Sequence, residues 1–221
     1  LSQWHIKNDA QATGPVDCCR LHERAIFEFQ PSFSPFMTYQ ALLDQDPPSR
    51  EAFALQPHLV GDLVEVRPLE PEDWESLFAV ASDPLIWEQH PAHDRYQEDV
   101  FKEFFREALE SGGAFVVIDR KTQAIIGSSR YFGFDPAKSE IEIGWTFLAR
   151  AYWGGKYNAE LNRPMLDHAF KFVESVVFLI GPTNFRSRKA VEKIGGVRIE
   201  RRDKIIQGKS VEQVVYQIKR P

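Results

Sequence analysis

The stretch SEIEIGWTFLARAYWGGKYNAE, Ser139 to Glu160, decides the fold. Its first half alternates: Ile141, Ile143, Trp145 and Phe147 fall on one face, and Glu140, Glu142, Gly144 and Thr146 on the other. That is the period of a β-strand. From Leu148 to Gly155 the pattern gives way to a turn of small and basic residues, and beyond Lys156 the apolar positions Leu161, Met165 and Ala169 recur at helical spacing. A strand, a short glycine-bearing loop and a helix present free backbone N–H groups and the positive end of a helix dipole to an anion.

Outward from this junction the chain alternates strands and helices from about Leu59. Leu63, Val64 and Val66 predict a short strand, and Glu70-Pro71-Glu72-Asp73 opens a helix carrying Trp74, Leu77, Phe78 and Ala81 on one face. A second helix carries Phe101, Phe104, Phe105 and Ala108 and stops at Gly112-Gly113. Ala114 to Ile118 and Ala124 to Phe132 read as a hairpin that leads into the opening strand. The helix after the loop is expected to run from about Lys156 to Glu174, with Pro164 removing one N–H inside it. Val176 to Ile180 is apolar throughout, as a central strand requires. Thr183 or Asn184 caps a helix ending at Gly195-Gly196, and two strands around a turn at Gly208 close the chain. The order is that of one mixed α/β (α+β) domain over residues 58–221.

Residues 1–57 read differently. Gly14-Pro15, Pro31, Pro35 and Pro47-Pro48 punctuate them without a sustained period, and they are expected to form an irregular, poorly packed N-terminal extension, with at most a helical turn at Ala41 to Leu43. The chain begins with Leu1, and Met37 is a candidate start.

Composition excludes several classes. The net charge is -5 and the basic residues are dispersed, which gives no footprint for nucleic acid; Arg186, Arg188 and Lys189 read as a solvated face that can still serve a phosphorylated ligand. No run of apolar residues is long enough to span a membrane, and no signal peptide is visible. Both cysteines, Cys18 and Cys19, are adjacent, so no disulfide framework exists and a cytoplasmic location is expected. His90 and His93 lack a third ligand, so no metal is expected. Gly154-Gly155-Lys156 fits neither a P-loop nor a dinucleotide fingerprint.

The order of elements, IGWTFLARAYWGGKYNAE and NFRSRKAVEKIGG together resemble the GNAT superfamily of acyl-CoA-dependent N-acyltransferases, above all the Rim-type ribosomal-protein N-acetyltransferases, over about Leu59 to Lys219. The resemblance implies a central, mostly antiparallel sheet flanked by helices and splayed at a cofactor cleft. It implies acetyl-CoA as acyl donor, no metal, an amine acceptor such as a protein N-terminus or a small amine, and a monomer or homodimer. The pyrophosphate is expected on the loop Arg150 to Asn158, through Trp153, Gly154, Gly155, Lys156, Tyr157 and Asn158, and the pantetheine arm along Trp145 to Leu148, with Phe147, Leu148 and Ala149 among the cofactor-binding residues. Asn184 and Ser187 face the cofactor from the next helix. One departure stands in the loop, where Lys156 occupies a position the family gives to glycine.

For chemistry, Glu142 is the first candidate base and Glu140 the second, with like charge and burial able to raise one of them; the alternative is a solvated face of the sheet. Ser187 is the candidate acid for the leaving thiolate, or an ordinary helix surface residue. Asn184 serves as an N-cap, which is compatible with cofactor contact, and Trp153 packs in the core or shields the cofactor. Trp87, His90, Arg95, Arg130 and Tyr131 are expected at the acceptor site, as the resemblance implies. The competing functional reading is a degenerate member that binds acyl-CoA or a protein partner without turnover.

Overall fold

The computed structural model describes residues 53–221. The expectations for Cys18, Cys19, Met37 and Ala41 to Leu43 lie outside the described residues. Among the described residues eight strands form one sheet in the order β1-β2-β3-β4-β5-β6-β8-β7. They are β1 (Leu59–Val60), β2 (Val64–Pro68), β3 (Ala114–Asp119), β4 (Ile125–Asp135), β5 (Glu140–Leu148), β6 (Ser175–Ile180), β7 (Val197–Ile206) and β8 (Lys209–Lys219). The helices are α1 (Trp74–Ala81), α2 (Pro84–Trp87), α3 (Glu98–Glu110), α4 (Tyr157–Ala169) and α5 (Phe185–Lys193). None among the described residues is long and apolar enough to cross a membrane.

Every neighbouring pair is antiparallel except β5 and β6, which run parallel and pair only at Glu140↔Ser175, Ile141↔Val176 and Glu142↔Val177. Beyond Glu142 the two strands part, and β5 is left with an open edge. This is the splayed mixed sheet expected from the sequence. At the far end, Gln207 (φ 48°) and Gly208 (φ 73°) make the tight turn between β7 and β8. Positive φ at both central residues is what a two-residue hairpin turn demands.

The alternation read for β5 holds only to Ile143. Ser128 pairs with Phe147 and Arg130 with Gly144, so β5 spends one more residue than β4 between these pairs. Trp145 takes φ 52° at this bulge. An extra residue in a period-2 element reverses the faces beyond it. Ile141 and Ile143 accordingly pack in the core with α4, whereas Phe147 packs on the opposite face with Trp87, Phe101 and Phe104. The expectation that Ile141, Ile143, Trp145 and Phe147 share a face is corrected by this bulge.

Two apolar cores lie on the two sides of the sheet. One joins β2 to β6 with Leu161, Met165 and Ala169 of α4, and the other joins the sheet to α1 and α3 through Leu77, Phe101, Phe104 and Phe105. Phe53 belongs to the first and is 7% exposed. Its ring packs against Tyr131, Phe134, His168 and Phe172. The packed domain therefore reaches back at least to Phe53, past the boundary expected at residue 58.

Helix α4 continues through Pro164. The proline cannot donate to the Glu160 carbonyl. That carbonyl instead faces Gly61, where a Cβ would lie 3.3 Å from it, and Asp62 N–H donates to the Glu160 carboxylate at 3.2 Å. The helix ends at Ala169, short of the Glu174 expected from periodicity.

Candidate active site

Where β5 and β6 part, a cleft of about 460 Å³ opens between the end of β5, the start of α4 and α5. Its lining includes Phe147, Leu148, Trp153, Gly154, Gly155, Asn158, Asn184 and Ser187, together with Trp87 and His90. Ten residues singled out from the sequence thus converge on one site.

The loop supplies the donors. The N–H groups of Gly154 to Ala159 find no acceptor among the described residues, and the first bond of the helix is from Glu160 N–H to the Lys156 carbonyl at 2.9 Å. Six consecutive donors at a helix start form an anion site of dipole and hydrogen bonds together. Gly154 needs its glycine for φ 74°, and added Cβ atoms at Gly154 or Gly155 would meet no protein atom within 4 Å. Lys156 has φ -81° and ψ -21°, a right-handed conformation open to any residue. The glycine of the family pattern is therefore not needed at 156.

The edge of β5 supplies the second element. Ala149 N–H donates to the Ile126 carbonyl on β4 at 2.7 Å. Leu148 faces the other way: its carbonyl accepts from Trp153 Nε1 at 2.8 Å on the open side, and its N–H points there too. Trp153 is fixed by this bond and by the Arg186 guanidinium 4.0 Å above its ring.

Helix α5 closes the cleft. Asn184 caps it, its Oδ1 accepting from Ser187 N–H at 3.1 Å. Ser187 lines the cleft, and its hydroxyl has no hydrogen-bond partner among the described residues. Sequence reasoning placed the cofactor's cations first on the loop and allowed Arg186, Arg188 and Lys189 to serve a phosphorylated ligand; Arg186 and Lys189 line the cleft, and Lys193 of α5, which was not singled out, lines it too. The spacing of four residues between Lys189 and Lys193, which puts them on one side of the helix, was the available signal.

Four expected cofactor residues lie elsewhere. Arg150 is paired with Asp83 on the outer side, and Ala149 is turned to β4 and to a separate open cavity. Tyr157 donates its hydroxyl to Asp119 at 3.0 Å. Lys156 is exposed and outside the lining. Tyr131 is corrected more strongly. It is 1% exposed, donates to the Met165 carbonyl at 2.5 Å and stands in the core on the α4 side of the sheet. It is a core residue, because the alternation that sends Arg130 to one face sends Tyr131 to the other.

Glu140 and Glu142 are both buried, at 9% and 8% exposure, so they do not form a solvated face. Arg202 Nη1 donates to Glu140 at 3.0 Å and Lys204 Nζ to Glu142 at 2.5 Å. The i, i+2 spacing of the carboxylates on β5 is thus matched by the i, i+2 spacing of two cations on β7. Burial raises the Glu142 carboxyl against the pull of Lys204, Arg130 and Arg202, and the same burial lowers the Lys204 ammonium. Desolvation outweighs pairing for both partners. The like charge of Glu140 is not among the causes.

In the cleft lining, His90 Nδ1 accepts from Ala92 N–H at 2.9 Å and Nε2 lies 3.4 Å from Arg95 Nη1. Burial first, then Arg95 and Lys204, pull its pKa down to about 3, so the ring is neutral. Arg130 is 3% exposed. Its guanidinium lies 4.6 Å from the Trp145 ring centre and 5.6 Å from that of Phe104.

Residues 64–197 match the model of the acetyltransferase (GNAT) domain, more than half of the 221 residues. No curated protein matches. Among solved structures, a GNAT-family acetyltransferase from Bacillus anthracis is 22% identical with a TM-score of 0.61, covering 74% of this chain and 98% of the other. Mycobacterium smegmatis RimJ, in complex with CoA-disulfide, is 17% identical with a TM-score of 0.54, covering 71% and 81%. Spermidine N-acetyltransferase from Vibrio cholerae, with CoA and spermine, is 18% identical with a TM-score of 0.53, covering 71% and 95%. At these identities the likeness speaks for the fold, and the match over residues 64–197 carries the family. The chain belongs to the GNAT family of N-acetyltransferases.

Proposed function

We propose that the protein transfers the acetyl group of acetyl-CoA directly to a primary amine within a ternary complex. The observation that carries this reading is the run of six unpartnered N–H groups from Gly154 to Ala159 beside the open edge of β5. Those donors suit a pyrophosphate, Lys189 and Lys193 suit further phosphate oxygens, and Leu148 N–H suits an amide of the pantetheine arm.

The amine nitrogen attacks the thioester carbonyl, forming the C–N bond as the C–S bond breaks. Glu142 receives the amine proton, directly or through water, and the Ser187 hydroxyl gives a proton to the departing thiolate and regains one from solvent. A base with a raised pKa is nearer to neutrality and better matched to that task.

Calorimetry with acetyl-CoA, followed by an acceptor screen, tests the reading. Binding is expected at roughly 1–100 μM. Glu142→Gln is expected to lower kcat about 100-fold or more, with acetyl-CoA affinity unchanged within about twofold. No binding of acetyl-CoA refutes the proposal, and binding without turnover of any amine favours the non-catalytic alternative.

A further inference from the structure

We infer that Arg130 and Arg95 form a carboxylate-binding subsite at the acceptor end of the cleft, so that the amine acetylated here stands within a few atoms of a carboxylate. This rests on the acetyltransferase reading above and names the acceptor class it leaves open.

Arg130 is nearly fully buried, and its Nε and Nη2 are enclosed with no hydrogen-bond partner. Neither Arg130 nor Arg95 forms an ion pair with a described residue. Among the described residues, the only hydrogen bond of Arg95 is the long contact with His90. Buried guanidinium donors are ordinarily satisfied, because an unpaired charge in a low dielectric is strongly unfavourable. The Nε and Nη2 of Arg130 are an exception that a ligand resolves.

Aromatic faces set the geometry. The Arg95 guanidinium lies 4.7 Å from the Phe104 ring centre and 5.6 Å from that of Trp87. The Phe104 ring is thus shared by the two arginines, and Trp145 packs on Arg130 at 4.6 Å. These walls orient the two planar groups while leaving their N–H edges free, and a planar fork is matched by a carboxylate.

Arg95 adjoins the cleft through His90, and neither arginine is itself part of the lining. His90 lines the cleft and touches Arg95. Arg130 lies opposite Gly144, and the Glu142 carboxylate occupies the space a side chain there would take, its Oε1 2.9 Å from where a Cβ would stand.

The surrounding charge favours an anion. Arg95, Arg130 and Lys204 face one another, and Glu142 is the carboxylate bonded among them. Glu107 and Asp94, an exposed and a part-buried carboxylate, act on the arginines only through distance. Burial lowers both guanidiniums to about 10, so they remain charged at neutral pH. Such a cluster repels polyamines and attracts an acceptor that brings its own negative charge.

The test uses the full chain with matched acceptors: free α-amino acids, the corresponding amino acid amides, peptides beginning with Asp or Glu, and spermine. Acids are expected to exceed amides in kcat/KM by about 100-fold, and R130Q is expected to collapse that ratio toward one through KM. Preference for free amino acids or for acidic peptides identifies which source supplies the carboxylate. Amides or spermine equal to the acids, or an unchanged ratio in R130Q, overturn the inference while leaving the acetyltransferase reading intact.

Calorimetry with N-acetyl amino acids and their amides, with and without CoA, reads the subsite independently of turnover. The acids alone are expected to bind, and R95Q and R130Q are expected to lose them. Equal binding of acids and amides overturns the subsite even if no acceptor is ever acetylated. Arg130→Met guards against misfolding: removing an unpaired buried charge is expected to hold or raise Tm, and a lowered Tm with acid selectivity retained assigns Arg130 to packing.

Discussion

Replacing Phe53 by alanine tests where the folded domain begins. The ring packs 5.1 Å from Tyr131 and 5.0 Å from Phe172, centre to centre, on the α4 side of the sheet. A buried aromatic side chain removes about 150–250 Å² from water, and at about 25 cal/mol per Å² that amounts to roughly 4–6 kcal/mol. Alanine keeps its Cβ and the site relaxes, which brings the expected loss to about 3–5 kcal/mol. For a domain of this size each kcal/mol moves Tm by about 2–4 °C, so the midpoint is expected to fall by roughly 10 °C. Urea unfolding followed by circular dichroism measures the loss at constant m. A chain starting at residue 58 should lose at least as much relative to one starting at 53, since Gln56 Nε2 donates to the Ala114 carbonyl at 3.1 Å and His168 bonds to the Ala54 carbonyl at 2.9 Å. A loss below about 1 kcal/mol in Phe53→Ala, within the range of ordinary surface substitutions, would refute the packing argument and restore the boundary at 58.

Three other perturbations follow from the site. Because the fold depresses the His90 pKa from 6.5 to about 3, its contribution to stability is fully present above pH 6.5 and is lost as pH falls toward 3. The slope is up to about 1.4 kcal/mol per pH unit, and His90→Asn is expected to flatten that part of a stability–pH curve; an unchanged slope counts against a neutral buried ring. Gly155→Val is expected to leave Tm within about 2 °C but weaken acetyl-CoA binding at least tenfold, because a side chain there enters only the cleft; unaltered calorimetric affinity would show that the cofactor lies elsewhere. Tyr131→Phe removes a hydrogen bond to the Met165 carbonyl, so about 1 kcal/mol of stability is expected to go. Acceptor KM should stay constant, and a raised KM would return Tyr131 to the acceptor site.

Much of the fold was legible because its causes are local. The period of Glu140 to Ile143, the helical spacing of Leu161, Met165 and Ala169, the Asn184 cap and the turn at Gly208 depend on residues a few positions apart. The cofactor loop was legible for the same reason, since a helix start exposes its own N–H groups whatever surrounds it. Lys156 was a lesser departure than its sequence suggested: only the backbone could show that its φ and ψ suit any residue.

What tertiary structure alone decided is every relation between distant segments. One extra residue at Trp145 sends Phe147 to the opposite face from Ile143, and no count of apolar residues reveals a bulge that exists only against β4. The carboxylates of Glu140 and Glu142 read as solvated or catalytic in isolation; Arg202 and Lys204, on a strand formed after two further helices, bury and hold them. Arg95 and Arg130 come from a loop and a strand with α3 between them in sequence, and Phe104 of that helix brings their guanidiniums to one place. Local propensity writes the elements into the chain, whereas the burial that sets charge, strain and chemistry at a site arises only when those elements pack.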